Sequence, residues 1–168
     1  LAQLYDTVSR NGDSDEGKEA DVLLSLLTPI AKAFITETGV ESANLGLQCF
    51  GGHGYIREYG MEQIVRDARI ATIYEGTTGI QALDLLGRKV LMTQGESLKV
   101  FTKIIHRFCK AEAENEAMAE FIKPLMAANK EWGELTMKVG MAAMKDRNEV
   151  GAASVDYLMY SGYVTQAY

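Results

Sequence analysis

Ile73-Tyr74-Glu75-Gly76-Thr77-Thr78-Gly79-Ile80-Gln81-Ala82-Leu83-Asp84-Leu85-Leu86 joins a polar connection to an apolar-periodic run. Thr77 or Thr78 suits a helix N-cap, because a threonine hydroxyl accepts a hydrogen bond from a first-turn backbone N–H. The run that follows predicts a helix with Ile80, Leu83, Leu86 and Val90 inward. Glu75, just ahead of that start, gains about 0.3–1 kcal/mol from the helix dipole. The same position also suits a catalytic carboxylate. It lies on a loop, beside a glycine that admits close ligand approach, where an apolar substrate would strip it of water and strengthen it as a base. On the residues alone both readings of Glu75 stand.

Outward from this stretch, nearly every segment has helical rather than strand periodicity. Leu23, Leu26, Leu27, Ile30, Phe34 and Ile35 form one stripe, interrupted by Pro29. Either Thr28 caps a new helix with Pro29 in its first turn, or the proline kinks one long helix. Val40, Ala43, Leu47 and Phe50 give a second stripe that stops at Gly51-Gly52. Glycine ends a helix cheaply because it adopts a left-handed conformation without penalty. Gly51 to Gly60 is expected to be irregular, and a short helix is expected from Met61 to Arg69.

A break at Thr93-Gln94-Gly95 precedes three more amphipathic segments. Leu98, Phe101, Ile104, Ile105 and Phe108 mark the first. Met118, Phe121, Ile122, Leu125, Trp132, Leu135 and Val139 mark the second, and Val155, Leu158 and Met159 the third. The expected fold is all-α, in two parts: residues 1–94 and 95–168.

Composition narrows the function classes. With 47% hydrophobic and 24% charged residues and only two prolines, the chain is expected to be globular rather than disordered. A formal net charge of −6 weighs against nucleic acid or an anionic membrane as the main partner. No apolar run approaches the roughly 20 residues of a membrane-spanning helix. Cys49 and Cys109 sit in apolar-periodic segments far from any metal-ligand spacing, and are expected to be buried, reduced thiols. The opening at Leu1 reads as a piece of something longer. Gly51-Gly52-His53-Gly54-Tyr55 lacks the strand–glycines–helix context of a dinucleotide fingerprint. His53 reads as a loop histidine, and the alternating charges of Arg66-Asp67-Ala68-Arg69 as a solvated helix face.

Taken in order, Gln48-Cys49-Phe50-Gly51-Gly52-His53-Gly54-Tyr55, Arg66-Asp67-Ala68-Arg69, Ile73-Tyr74-Glu75-Gly76-Thr77 and Ile80-Gln81 resemble the C-terminal helical domain of acyl-CoA dehydrogenases over roughly residues 15–92. The continuation to Leu86-Gly87-Arg88-Lys89 resembles the long bacterial branch, which includes 3-methylmercaptopropionyl-CoA dehydrogenases and carries an extra helical domain. Residues 95–168 would then be a truncated version of that extra domain.

The resemblance implies FAD as cofactor and Glu75 as the base that removes the α-proton of an acyl-CoA thioester. Some members of the family place the base elsewhere. Gly76 matches the position where the backbone passes the thioester. Gln48, Cys49, Phe50, Gly51 and Gly52 match the segment that reaches the adenosine end of the flavin in a neighbouring subunit, and Thr77, Thr78 and Gly79 match a second flavin-contacting segment. Gly79 departs from the polar residue often found there, which removes one contact. The resemblance further implies an electron-transferring flavoprotein as acceptor, a homodimer or homotetramer, and the bacterial cytoplasm. Rival readings are an acyl-CoA oxidase, separable by peroxide production, and a catalytically silent helical assembly module.

Overall fold

Ser14 opens the longest element of the fold by accepting a hydrogen bond from the Gly17 amide at 3.0 Å. The computed structural model describes residues 1–168, and it contains helices and turns with no strand. Helix α1 (Ala2–Asn11) turns back against α2 (Asp15–Cys49). A single helical turn, α3 (Gly52–Tyr55), and a 3-10 turn (Arg57–Tyr59) lead into α4 (Met61–Ile70). Then come α5 (Thr78–Leu83), a π-helical segment (Asp84–Leu91), α6 (Glu96–Ala111), α7 (Ala119–Lys145) and α8 (Asn148–Ala167).

The two sequence stripes flanking Gly39 belong to one helix, not two. Pro29 neither starts nor breaks it; the proline is buried in the interior of α2, and the Thr28 hydroxyl donates back to the Leu24 carbonyl at 2.6 Å. A proline inside a helix costs about 3 kcal/mol. Burial of Leu23, Leu26, Ile30, Ala33 and Phe34 on one face outweighs that cost. The apolar stripe ends at Phe34: Ile35 is 65% exposed, and no residue from Ile35 to Cys49 is buried. Cys49 is therefore exposed, contrary to expectation, while Cys109 is buried as expected. An 18-residue window of α2 reaches a mean hydropathy of 1.2, a length and composition that also pass for a membrane span; a third of that window is buried against other helices here.

One core of 18 buried residues runs through the molecule, drawing Leu23, Ile30, Leu85 and Val90 from the first part and Phe101, Ile105, Trp132 and Leu158 from the second. Phe101 meets Trp132 edge-on at 6.2 Å. The one buried polar contact between α7 and α8 is satisfied: Thr136 donates to the Trp132 carbonyl at 2.8 Å and pairs with the Tyr157 hydroxyl at 2.7 Å.

The segment after Thr77 departs from the expected face. Leu86 and Val90 are fully buried as expected, but Ile80 and Leu83 are 58% and 44% exposed, and Ala82 and Leu85 are fully buried in their place. The π segment that follows has bonds reaching back five residues, as from the Met92 amide to the Gly87 carbonyl at 3.0 Å, and buries Leu85 and Val90, five apart. Gly51 to Gly60 also differs from an irregular loop, forming the two short turns named above. Gly51, Gly60 and Gly95 all take positive φ, as a chain reversal requires of glycine.

Candidate active site

The connection between α4 and α5 holds Glu75 in a conformation rare for a side-chain-bearing residue, with φ +57°. Glycine follows it at φ +91°. A turn of this kind needs restraint from its surroundings, and three side chains supply it. Lys32 of α2 donates to the Gly76 carbonyl at 2.6 Å, and Gln81 of α5 donates to the Glu75 carbonyl at 3.0 Å. The Thr78 hydroxyl donates to the Glu37 carboxylate of α2. The Lys32 ammonium also lies 6.0 Å from the centre of the Tyr74 ring, within cation–π range. Gly76 disfavours any side chain because of its φ of +91°, and a Cβ there would also lie 2.8 Å from the movable tip of Gln81.

The Glu75 carboxylate itself makes no ion pair and no hydrogen bond. It is exposed, as are its neighbours Ile73 and Tyr74 at about half, and Ile35, Ile70 and Ile80 at more than half. A free acid on a pinned loop therefore projects from an apolar surface. Such a carboxylate can accept a proton from a ligand laid against that surface; alone it cannot oxidise anything.

Thr77 is the N-cap of α5, its hydroxyl accepting from the Ile80 amide at 3.4 Å. Gly79 has nothing within 4 Å of its missing Cβ. The second group of expected contacts lies at the far end of α2, where Gln48, Cys49, Phe50, Gly51 and Gly52 are all exposed. Phe50 and His53 each meet the Tyr59 ring edge-on, at 6.4 and 5.0 Å, which places His53 in a packing role. Eleven residues of helix separate Glu37, beside the Glu75 loop, from Gln48, a rise of about 17 Å. The structure thus brings Glu75, Gly76, Thr77 and Thr78 together and keeps Gln48–Gly52 apart from them. No cluster of three or more His, Cys, Asp or Glu side chains is placed to hold a metal ion.

Lys32 and Glu37 were not legible as site residues. The available signal was a lone cation inside the apolar run Ile30-Ala31-Lys32-Ala33-Phe34-Ile35.

Two family models cover most of this fold. The one described as acyl-CoA dehydrogenase, C-terminal domain, matches residues 4–91, and the one described as acetyl-CoA dehydrogenase C-terminal like matches residues 101–168. The chain belongs to the acyl-CoA dehydrogenase family. It is 39% identical over 156 residues to 3-methylmercaptopropionyl-CoA dehydrogenase of Ruegeria pomeroyi, across 92% of this chain and 26% of that protein. It is 33% identical over 154 residues to the broad-specificity linear acyl-CoA dehydrogenase FadE5 of Mycobacterium tuberculosis, across 88% of this chain and 25% of that one. The chain thus spans about a quarter of the length of these relatives. Its fold is shared with the crystal structure of Caenorhabditis elegans ACDH-11 in complex with C11-CoA, at a TM-score of 0.81 and 24% identity, over 99% of this chain and 28% of that one.

Proposed function

We propose that Glu75 is the base of a flavin-dependent acyl-CoA dehydrogenase, removing the α-proton of an acyl-CoA thioester on the way to the trans-2-enoyl-CoA. The observation that carries this reading is the conformation of Glu75: a left-handed, non-glycine residue held by Lys32 and Gln81, with its carboxylate free. Backbone strain of about 1–3 kcal/mol persists only where the surroundings enforce it, and it gathers at reacting groups. The exposed Ile73 and Tyr74 offer an apolar wall that would exclude water from the carboxylate once substrate lies there. The Gly76 carbonyl is held by Lys32, and its amide N–H makes no hydrogen bond and is free for the thioester.

The residues fit part of an FAD site. Gln48, Gly51 and Gly52 are exposed, and both glycines have open space where a Cβ would stand, so they would hold polar groups of the cofactor. Thr78 fits less well, because its hydroxyl already donates to Glu37. FAD, when bound, accepts the hydride from the β-carbon. The 17 Å between the two residue groups supports a site completed by a second subunit, hence a homodimer or homotetramer, with an electron-transferring flavoprotein as acceptor in the cytoplasm. The division into residues 1–94 and 95–168 belongs to the same proposal, and the two family matches support it.

The test is Glu75→Gln in the flavin-loaded enzyme, assayed with acyl-CoA thioesters of several lengths. Loss of a general base lowers turnover by about 10²–10⁴-fold. Unchanged turnover with any thioester would remove Glu75 from the mechanism. Peroxide formation in air would point to an oxidase with the same base.

A further inference from the structure

The chain carries a formal charge of −6, yet part of its positive charge is gathered on one surface. Between α6 and α7 lies a groove of about 870 Å³ whose lining includes Lys103, His106, Arg107, Lys123 and Lys130 and no carboxylate. Lys103, Arg107 and Lys123 take part in none of the ion pairs of the structure. Uncompensated cations held along one groove raise the local potential, and an anion seated among them relieves that repulsion. Arg107 adds a planar fork of N–H donors suited to phosphate oxygens.

This basic groove opens into a second one of about 940 Å³, the two sharing Thr102, Lys130 and Gly133. Leu91, Leu98, Met137, Met141 and Met144 supply an apolar strip there beside Lys99, Lys145 and Arg147, and the only acid on the lining, Glu134, is paired with Lys130 at 3.6 Å. The three methionines stand four and three residues apart on α7, and are 67%, 57% and 88% exposed. Methionine adapts its shape to irregular apolar ligands, and a stripe of it left in water marks a surface meant for contact. At the junction, Gly133 has nothing within 4 Å of its missing Cβ, which leaves a clear passage from the first groove to the methionine strip.

We infer that the α6–α7 groove binds a water-soluble phosphorylated amphiphile, its phosphate between Lys103, Arg107 and Lys123 and its unbranched chain over Met137, Met141 and Met144. The site does not include Glu75 and does not depend on the role proposed for it.

Calorimetric titration of the chain with decyl phosphate, below its micellar concentration, tests the inference. Saturable binding is expected, at least tenfold tighter than for inorganic phosphate or for decyltrimethylammonium, which has the same tail and the opposite charge. Arg107→Glu and Met141→Ser should each weaken it at least tenfold, while Arg10→Glu, the same charge change on α1, should not. Lys103→Gln stands in if circular dichroism shows that Arg107→Glu fails to fold. Equal affinity for the cationic amphiphile, or indifference to both groove-charge variants, overturns the inference. So does co-sedimentation with phosphatidylglycerol vesicles in the absence of decyl phosphate binding, which would make the surface a membrane contact.

Discussion

Gly162→Ala tests the joint between α2 and α8, where the segments matched by the two family models meet. A Cβ at Gly162 would stand 2.1, 2.4 and 2.8 Å from Cδ2, Cγ and Cε2 of Phe34, where carbon atoms at rest lie about 3.5–4.0 Å apart. Phe34 cannot swing aside freely. It is 8% exposed, and its ring meets that of Tyr163 edge-on at 5.0 Å. Overpacking of this kind costs about 1–3 kcal/mol, against a gain of about 1 kcal/mol from replacing a mid-helix glycine. With ring atoms rather than a flexible tip in the way, the cost falls at the upper end and the net loss is about 1–2 kcal/mol. For a chain of this size that lowers Tm by roughly 2–8 °C. Gly151→Ala, in the same helix, meets no atom within 4 Å and should instead stabilise by about 0.5–1 kcal/mol. Thermal unfolding followed by far-ultraviolet circular dichroism separates the two. If Gly162→Ala stabilises as much as Gly151→Ala, α2 and α8 do not approach as described, and the shared core fails with them.

Other perturbations have equally definite outcomes. Burial pushes the Tyr157 phenol from 10 up to about 12, so the unfolded chain ionises first. Stability is therefore level below pH 10 and Tyr157 contributes a fall of roughly 2–3 kcal/mol as pH rises to about 12; urea titrations across that range should show the fall, and Tyr157→Phe should shrink it, leaving the part due to Tyr160, which is also pushed up to about 12. Lys32→Met removes the bond to Gly76 and should speed amide exchange from Ala71 to Thr77 without changing exchange in α6–α8; unchanged loop protection would deny Lys32 its positioning role. Cys49 is exposed and Cys109 is buried, with its thiol pushed up by desolvation. A thiol reagent at neutral pH should label one equivalent quickly and the second only on unfolding; two fast equivalents would place Cys109 outside the core.

Local signals were read well where one interaction decides the outcome. Thr77 caps α5, Gly51 takes the left-handed turn after α2, and Gln94 and Gly95 take positive φ at the expected break. The misreadings share a cause, which is that burial overrode a local preference. The stripes ending at Ile35 and beginning at Val40 read as two helices, yet the core on one side and continued hydrogen bonding on the other carry α2 unbroken through both. Ile80 and Leu83 fit a 3.6-residue face with Leu86, yet the core takes the adjoining face through Ala82 and Leu85, and a period read from sequence does not choose between overlapping faces. Glu75 itself was visible because its flanking glycine and threonines have strong positional meaning. Lys32 and Glu37 were not, since they lie more than 35 positions away from the loop they restrain and only the packing of α2 on α5 brings them to it.

The unbroken course of α2 makes it a measuring rod. Glu37 and Gln48 stand on one rigid cylinder, with no loop between them to absorb a change in length. Adding or removing a single residue there would swing the glycine turn at Gly51 by about 100° around the axis and shift it by about 1.5 Å along it. Only near-whole turns restore the direction, and each moves the end by several ångströms. A change of length inside the rod is therefore felt at Gly51, whereas the turns at Gly12 and Glu112–Asn115 lie outside it.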